Sequence, residues 1–316
     1  MAMKVLVTGG AGCIGSTLAK RLLKDGYDTT IFDNLSSGKE EHIEEFMGNS
    51  NFRFIRGDLT DKRQITLACK NIDIVFHLAA NSDIKYIDGD QTDEDLKLNT
   101  IATYNLLDGM RLNSVKKIVF TSSSAVYGEA KKMPTPEDYP LLPISLYGAS
   151  KAACEALICG FCHMFGMQAW IVRFANIVGD KSRKVGKTVL SDFIDKLHKN
   201  PKELEILGDG KQSKCYLTAE DCIEGMLFIL GKSGERVNIY NIGPEDAVTV
   251  NDIARIVADE IGLKNVNFRY TGGDRGWTGD VPRFMLDITK IKRLGWAPRH
   301  SSEEAIRNAT RSLLNM

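Results

Sequence analysis

Two kinds of apolar pattern alternate along the first half of the chain. Short runs rich in β-branched and aromatic residues are separated by longer segments that carry the apolar spacing of amphipathic helices. The predicted strands are residues 4–8, 28–32, 52–56, 74–79, 117–121 and 169–173. Because parallel strands need crossover connections and are buried on both faces, this order predicts an α/β fold with a doubly wound parallel sheet.

After residue 173 the alternation of strand and helix patterns becomes less regular. Glycine-rich and charged segments follow, interrupted by helical patterns at 189–199 and 249–261. We predict a main domain of residues 1–173 and a smaller C-terminal α/β lobe, residues 174–316, that supplies binding loops. A helical pattern at 219–230 and a strand-like run at 237–242 indicate that about residues 215–248 return to the main sheet.

The amino-acid composition excludes some classes of binding partner. The 316 residues are 43% apolar and 26% charged, which is enough to bury a full core. Lys plus Arg and Asp plus Glu number 41 each, so no basic surplus exists to bind nucleic acid or an anionic membrane. No run reaches 18 apolar residues, and the N-terminus enters a strand without a cleavable apolar segment, so we predict a cytoplasmic protein.

The seven cysteines are an odd number without paired spacing, which is typical of a reducing compartment. Cys159 and Cys162 form a C-x-x-C pair on a predicted helix. No second pair and no histidine stand at zinc spacing, so we interpret them as packed helix residues and predict no metal site.

A glycine-rich turn follows the first predicted strand. Residues 9–15 read Gly-Gly-Ala-Gly-Cys-Ile-Gly and open a predicted helix at 14–24. Glycines allow the backbone to approach a pyrophosphate, whose charge the helix N-terminus stabilises. Asp33 ends the second strand, where it can accept hydrogen bonds from ribose hydroxyls; capping of the following turn is the alternative. Since an acid there would repel a 2′-phosphate, the predicted cofactor is NAD on a Rossmann fold.

Further residues at strand ends are expected to line the cofactor cleft. Asp58 lies at the end of the third strand and residues 76–80 at the end of the fourth, at the sheet edge where such folds bind ligands. For His77 a structural role and a catalytic role both stay open.

Tyr147 and Lys151 are four positions apart, hence on one face of a helix. A nearby ammonium and a positive nicotinamide both favour the phenolate, so Tyr147 is a candidate base near neutral pH. An ordinary amphipathic helix is the alternative for an isolated pair of this kind. The strand that ends in the hydroxyls of residues 121–124 favours the chemical interpretation, because a hydroxyl beside the phenol can bind a substrate oxygen.

Together these motifs resemble the extended short-chain dehydrogenase/reductase family, most closely its UDP-glucose 4-epimerase-like members. Residues 9–15, 77–80, 122–128 and 173–176 occur in the order that the family shows. The resemblance implies that Ser123 is the catalytic hydroxyl, Tyr147 the base and Lys151 the residue that holds the nicotinamide ribose.

The resemblance also implies two sets of binding residues. The expected cofactor-binding residues are Gly9, Gly12, Cys13, Ile14, Gly15, Asp33, Asn34, Ser36, Ser37, Gly38, Asp58, Leu59, Leu78, Ala79, Ala80, Asn99, Ser122, Tyr147 and Lys151. The expected substrate-binding residues are Ser123, Ser124, Asn176, Val189, Lys214, Arg275 and Phe284.

Within the second set, Asn176 corresponds to a contact with the substrate diphosphate, and Lys214 and Arg275 to phosphate-binding cations. Lys214 stands where relatives often have arginine, and it can meet phosphate only as a point charge. Phe284 corresponds to a bulky gatekeeper beside the sugar, which disfavours N-acetylated sugars.

Related dehydratases and a decarboxylase carry acidic residues just after the catalytic hydroxyl. This chain has Ser124 and Ala125 there, so 4-epimerisation of a UDP-sugar is favoured over dehydration. UDP-glucose/UDP-galactose is the first-choice substrate pair, and UDP-glucuronate is the second choice. Residues 184–188 could contact the carboxylate of UDP-glucuronate, or they could form a solvated loop. A dehydratase or reductase activity, and a non-catalytic NAD-binding sensor, also stay open.

The helices predicted near 95–111 and 147–165 resemble those that form a four-helix dimer interface in the family. A homodimer is therefore expected. Packing of the same apolar faces within one subunit is the alternative.

Overall fold

Seven of the strands in the described residues assemble into one parallel central sheet, and the remaining strands pair two by two. The computed structural model describes residues 2–81, 92–179, 188–277 and 279–315. Within them the strands are β1 (Lys4–Thr8), β2 (Asp28–Asp33), β3 (Phe52–Arg56), β4 (Ile74–His77), β5 (Lys117–Ser123), β6 (Gln168–Phe174), β7 (Asn176–Val178), β8 (Glu203–Ile206), β9 (Ser213–Lys214), β10 (Tyr216–Thr218), β11 (Val237–Ile242), β12 (Val248–Thr249) and β13 (Asn267–Tyr270). The central sheet has the order β3-β2-β1-β4-β5-β6-β11, and every pairing in it is parallel. The predicted doubly wound α/β fold is confirmed.

The helices between the strands begin and end at residues suited to those positions. They are α1 (Cys13–Lys24), α2 (Lys62–Ala68), α3 (Ala102–Leu112), α4 (Leu146–Phe165), α5 (Val189–Lys199), α6 (Ala219–Lys232), α7 (Val250–Ile261), α8 (Thr289–Arg293) and α9 (Ser302–Leu314). At the start of α4, the Ser145 hydroxyl accepts a hydrogen bond from the Gly148 N–H. The same helix ends at Gly166, whose φ of 62° is readily adopted by glycine.

Several boundaries differ from the sequence prediction, and three of these differences lie near the carboxyl edge of the sheet. The strand predicted at 74–79 ends at His77, after which the chain is half-exposed, and β5 continues to Ser123 instead of ending at residue 121. The helix predicted at 95–111 begins as a π-helical turn, Leu96–Ile101, before α3. The wider turn carries Asn99, which bonds to the loop after β4 and to α4.

Two hydrophobic clusters cover opposite faces of the sheet. Val5 and Val7 belong to one cluster and Leu6 to the other, as the alternation of side chains along a strand requires. A third cluster joins α5, α7 and α9 with β8 through residues such as Leu190, Ile253 and Leu204. β11 pairs with β6, so the run at 237–242 does join the main sheet. No helix in the described ranges combines the length and apolarity needed to span a membrane.

Candidate active site

The carboxyl ends of β1, β2, β4 and β5 form one edge of the sheet, where the glycine-rich turn lies. Gly9 has a φ of 70°, and a Cβ at this position would lie 2.6 Å from the Ala79 nitrogen. A Cβ on Gly15 would clash with the Gly9 carbonyl oxygen, whereas one on Gly12 would meet only that oxygen, at 3.2 Å. Within the described residues no side chain caps α1, which begins at Cys13. A narrow backbone turn below an uncapped helix N-terminus fits a pyrophosphate.

Asp33 connects this turn to the next loop. Its buried carboxylate accepts hydrogen bonds from the Ala11 N–H (2.9 Å) and the Leu35 N–H (2.8 Å). The turn-capping role is therefore present, at the position from which a carboxylate would also meet a ribose. Its contact with the cofactor stays a prediction.

The loop after Asp33 packs on the glycine-rich turn. A Cβ on Gly38 would lie 2.8 Å from the Ala11 carbonyl carbon. The Asn34 amide donates to the Asp58 carboxylate (3.0 Å) and accepts from the Ser36 N–H, while Ser37 is half-buried. Burial acts to raise the pKa of Asp58, but hydrogen bonds from Thr60 and Asn34 outweigh it and lower the pKa.

Other predicted cofactor residues divide into two groups. Ile14, Leu78, Ala79 and Ala80 are half-exposed next to the turn, whereas the Leu59 side chain is buried in a hydrophobic cluster. The Ser122 hydroxyl is directed to the interior, where it donates to Glu155 (2.5 Å).

His77 has two hydroxyl partners and is fully enclosed. Its Nδ1 lies 2.7 Å from the Thr8 hydroxyl and its Nε2 2.9 Å from the Thr103 hydroxyl. Burial, together with the charge of Lys151, lowers the pKa of His77 to about 3. A neutral imidazole with both nitrogens hydrogen-bonded favours the structural interpretation.

Asn99 joins the cofactor edge to α4. Its Oδ1 accepts from the Asn81 N–H (2.7 Å) and its Nδ2 donates to the Ser150 hydroxyl (2.8 Å). The Ser150 hydroxyl in turn donates to the Tyr147 carbonyl. Asn99 therefore holds the first two turns of α4, where Tyr147 and Lys151 lie.

Ser123, Tyr147 and Lys151 come together at the end of β5. The Tyr147 phenol hydrogen-bonds with Ser123, whose Oγ also accepts from the Ala125 N–H (3.2 Å). Lys151 is buried, donates from Nζ to the Thr121 carbonyl (2.9 Å) and lies 5.9 Å from the Tyr147 ring centroid. The three predicted catalytic side chains thus occupy one site.

The pKa of Tyr147 differs from the sequence expectation. Burial raises it to about 12, against a smaller opposing effect of the hydrogen bond with Ser123. Burial lowers the pKa of Lys151 to about 8. Because burial outweighs the hydrogen bond with Ser123, the chain alone does not provide the lowered phenol pKa. The positive charge of the nicotinamide is the other effect that is expected to lower the pKa of Tyr147.

The two predicted phosphate-binding cations converge on Asp280. Lys214 Nζ lies 2.5 Å from an Asp280 carboxylate oxygen, and Arg275 donates to the Asp280 carbonyl (3.3 Å) and pairs with Glu129. The sequence pattern assigned no role to Asp280 or to Glu129.

The other predicted substrate residues surround this region. Asn176 hydrogen-bonds with the Tyr216 phenol, and the Phe284 N–H donates to the Ser213 carbonyl next to Lys214. Ser124 is buried beside Ser123, and Val189 is the first residue of α5 and packs on the third cluster. Of the candidate carboxylate contact at 184–188, residues 184–187 lie outside the described ranges, and Thr188 caps α5.

Comparisons with known proteins agree with this geometry. The family model described as "NAD dependent epimerase/dehydratase family" matches residues 5–243. The chain belongs to this family of NAD-dependent enzymes, and NAD is its cofactor.

Individual relatives match along nearly the whole chain. A protein of Methanocaldococcus jannaschii named "Putative UDP-glucose 4-epimerase" is 34% identical over 98% of both chains. A crystal structure of a UDP-galactose 4-epimerase is 38% identical over 99% of both chains, with a TM-score of 0.88. The UDP-glucuronic acid 4-epimerase of Bacillus cereus, in complex with UDP-glucuronic acid and NAD, is 27% identical over 99% of both chains, with a TM-score of 0.87.

Proposed function

We propose that this protein is a UDP-sugar 4-epimerase, with UDP-glucose and UDP-galactose as its first-choice pair. The observation that carries the proposal is the joint placement of Ser123, Tyr147 and Lys151 at the end of β5, on the same edge of the sheet as the glycine-rich turn, without a carboxylate directly after Ser123. Ser124 and Ala125 occupy those positions, and neither can act as the carboxylic acid or carboxylate base that elimination of water requires.

The chain's own residues carry the proton chemistry. Tyr147, as phenolate, accepts the proton of the sugar 4-hydroxyl, and Ser123, which contacts the phenol, relays it. NAD held at the glycine-rich turn would supply the group that takes up the C4 hydride and returns it. The Lys151 ammonium contributes a positive charge beside the phenol and holds the nicotinamide ribose. Return of the hydride to the opposite face of a 4-keto sugar inverts C4 without net oxidation.

Recognition of the nucleotide diphosphate rests on the cations near Asp280. Lys214 and Arg275 are paired with carboxylates of the chain itself, Asp280 and Glu129, and a diphosphate offers both cations a more strongly charged partner. Asn176 lies on the neighbouring β7, and Phe284 is bound to β9, which carries Lys214. UDP-glucuronate stays the second candidate because a relative of similar fold is named for that substrate.

A cytoplasmic homodimer is part of the proposal. Leu98, Ile101 and Tyr104 are exposed along the π-helical turn and α3, and Met164 is exposed at the end of α4. An exposed apolar face of this kind suits a helix-to-helix contact between two copies. The seven cysteines are all free thiols in the structure, in keeping with a reducing compartment. The division into residues 1–173, with about 215–248, and a C-terminal substrate lobe stays a prediction.

The sugar can be identified with a panel of three substrates. Protein purified without added NAD should convert UDP-glucose to UDP-galactose, detected by anion-exchange chromatography, and should convert UDP-N-acetylglucosamine far more slowly because Phe284 occupies the space beside the sugar. Conversion of UDP-glucuronate alone would replace the first choice by the second. No 4-epimer from any of the three, even with NAD supplied, would contradict the proposal.

A further inference from the structure

A closed ring of buried polar side chains lies behind the candidate catalytic residues. Ser122 donates from its hydroxyl to Glu155 Oε1 (2.5 Å). Arg173 donates to both oxygens of Glu155, from Nε (3.0 Å) and from Nη2 (2.7 Å). Its Nη1 donates to the Tyr127 hydroxyl (2.8 Å). The backbone from 122 to 127 closes the ring.

The ring is almost fully buried, although the stability of the fold does not require polar side chains in this place. Tyr127 is 2% exposed, and Glu155 and Arg173 are 3% exposed each. Desolvation of a buried ion pair often offsets its attraction, so a packed apolar pair would serve stability as well or better. What a fully bonded pair provides in addition is a fixed geometry, because each partner accepts only one arrangement of its hydrogen bonds.

The segment that this ring fixes carries Ser123. β5 ends at Ser123, whose Oγ caps a single 3₁₀ turn, Ser124–Tyr127. One end of this segment is anchored through Ser122 to Glu155, and the other end through Tyr127 to Arg173. The Ser123 hydroxyl therefore lies between two anchors that meet at a single ion pair.

The same ion pair also reaches the other two catalytic candidates. Glu155 lies on α4 four positions after Lys151 and eight after Tyr147, so the three share a helix face. Because β5 and β6 are in register, Ser122 stands opposite Arg173. Displacement of Glu155 would shift α4 relative to β5 and change the contact between Tyr147 and Ser123.

A link runs from the ring to the segment that carries Phe284. Tyr127 donates from its hydroxyl to Asn241 Oδ1 (2.8 Å), and the Asn241 amide donates to the carbonyls of Thr135 (2.9 Å) and Asp287 (3.1 Å). Burial raises the pKa of Tyr127 to about 12, so its hydroxyl keeps the proton that it donates. The Tyr127 hydroxyl is thus the connection between the Ser123 turn and the proposed sugar-facing segment.

We propose that Tyr127, Arg173 and Glu155 are positioning residues for the reaction, which hold the Ser123 hydroxyl against the Tyr147 phenol. The proposal rests on the proposed function. It assigns to the ring no contact with substrate or cofactor. The ring instead aligns the groups that make such contacts, and errors of about 1 Å in that alignment can lower rates by roughly a hundredfold.

Two mild substitutions test the ring from its two ends. Tyr127→Phe removes one hydroxyl and keeps the aromatic ring, and Ser122→Ala removes the donor to Glu155. Each should lower kcat about tenfold, while KM for the UDP-sugar and the amount of co-purified NAD change less than about twofold. The combined variant should lose less than the product of the two single losses, because both substitutions loosen the same turn.

A pH profile separates positioning from a general loss of stability. The hydrogen bond with Ser123 lowers the pKa of Tyr147, so a loosened Ser123 should move the rising limb of the kcat profile to higher pH. The matched control is Tyr139→Phe, since the Tyr139 hydroxyl accepts only from the Lys131 N–H among its described hydrogen bonds and its ring packs against Tyr127. This control should keep the wild-type kcat and pH profile.

The rate of the wild-type protein in the same assay distinguishes failure of the positioning role from failure of the proposed function. An active wild type with unchanged kcat and pH profile in Tyr127→Phe and Ser122→Ala would overturn the positioning role alone. Equal effects of Tyr139→Phe and Tyr127→Phe would overturn it as well. An inactive wild type would overturn the proposed function and, with it, this role.

Discussion

Tyr147→Phe should lower the kcat for interconversion of UDP-glucose and UDP-galactose by about a thousandfold, within the range known for loss of a general acid–base group. The substitution removes the phenol that contacts Ser123 and leaves the aromatic ring in its half-buried place at the start of α4. Because the glycine-rich turn and Asp33 are untouched, most of the NAD should still co-purify with the variant even though Tyr147 is itself an expected cofactor contact. Initial rates, and the absorbance of released nicotinamide dinucleotide, measure the two quantities.

Tyr27→Phe is a suitable control for this experiment. Tyr27 precedes β2 at the opposite edge of the sheet, where it is half-buried against a hydrophobic cluster. Its variant should keep full activity. A Tyr147→Phe variant with more than about a tenth of the wild-type kcat would show that another group accepts the proton.

The second large effect is expected at Lys151. Lys151→Met keeps a long side chain but removes both the buried charge and the hydrogen bond to the Thr121 carbonyl. The loss of the charge beside Tyr147 and of the expected contact with the nicotinamide ribose should lower kcat by about a hundredfold or more and reduce the fraction of protein that retains NAD.

Lys116→Met makes a matched comparison. Lys116 also donates from Nζ to a backbone carbonyl, that of Phe165, but it does so in an exposed position at the other end of β5. Kinetics and NAD content of this variant should equal those of the wild type. Similar losses in both variants would mean that anchoring of α4, and not the charge of Lys151, is what activity requires.

Much of the fold could be predicted because it depends on residues that are close together in the sequence. Each strand of the central sheet shows a run of β-branched or aromatic residues, and Gly9 and Gly15 stand where a side chain would clash with the neighbouring backbone. The pairing of Tyr147 with Lys151 followed from helix geometry. The hydroxyls of residues 121–124 followed from the end of a predicted strand, and the choice of Ser123 among them from the family resemblance.

What could not be predicted depends on contacts between distant parts of the chain. Lys214 and Asp280 are 66 positions apart, so no spacing rule brings them together. The ring through Glu155 and Arg173 depends on the register of β5 and β6 and on which face of α4 is buried. The raised pKa of Tyr147 likewise results from tertiary burial, which the sequence pattern does not quantify.

In a 4-epimerase the hydride taken from C4 of the sugar returns to the same carbon. UDP-glucose that carries deuterium at C4 can be incubated with protein purified without added NAD and followed by mass spectrometry and NMR. We expect UDP-galactose with the deuterium still at C4 and no free NADH. Loss of the label to solvent or to released NADH, or a product lighter by one water molecule, would contradict this expectation.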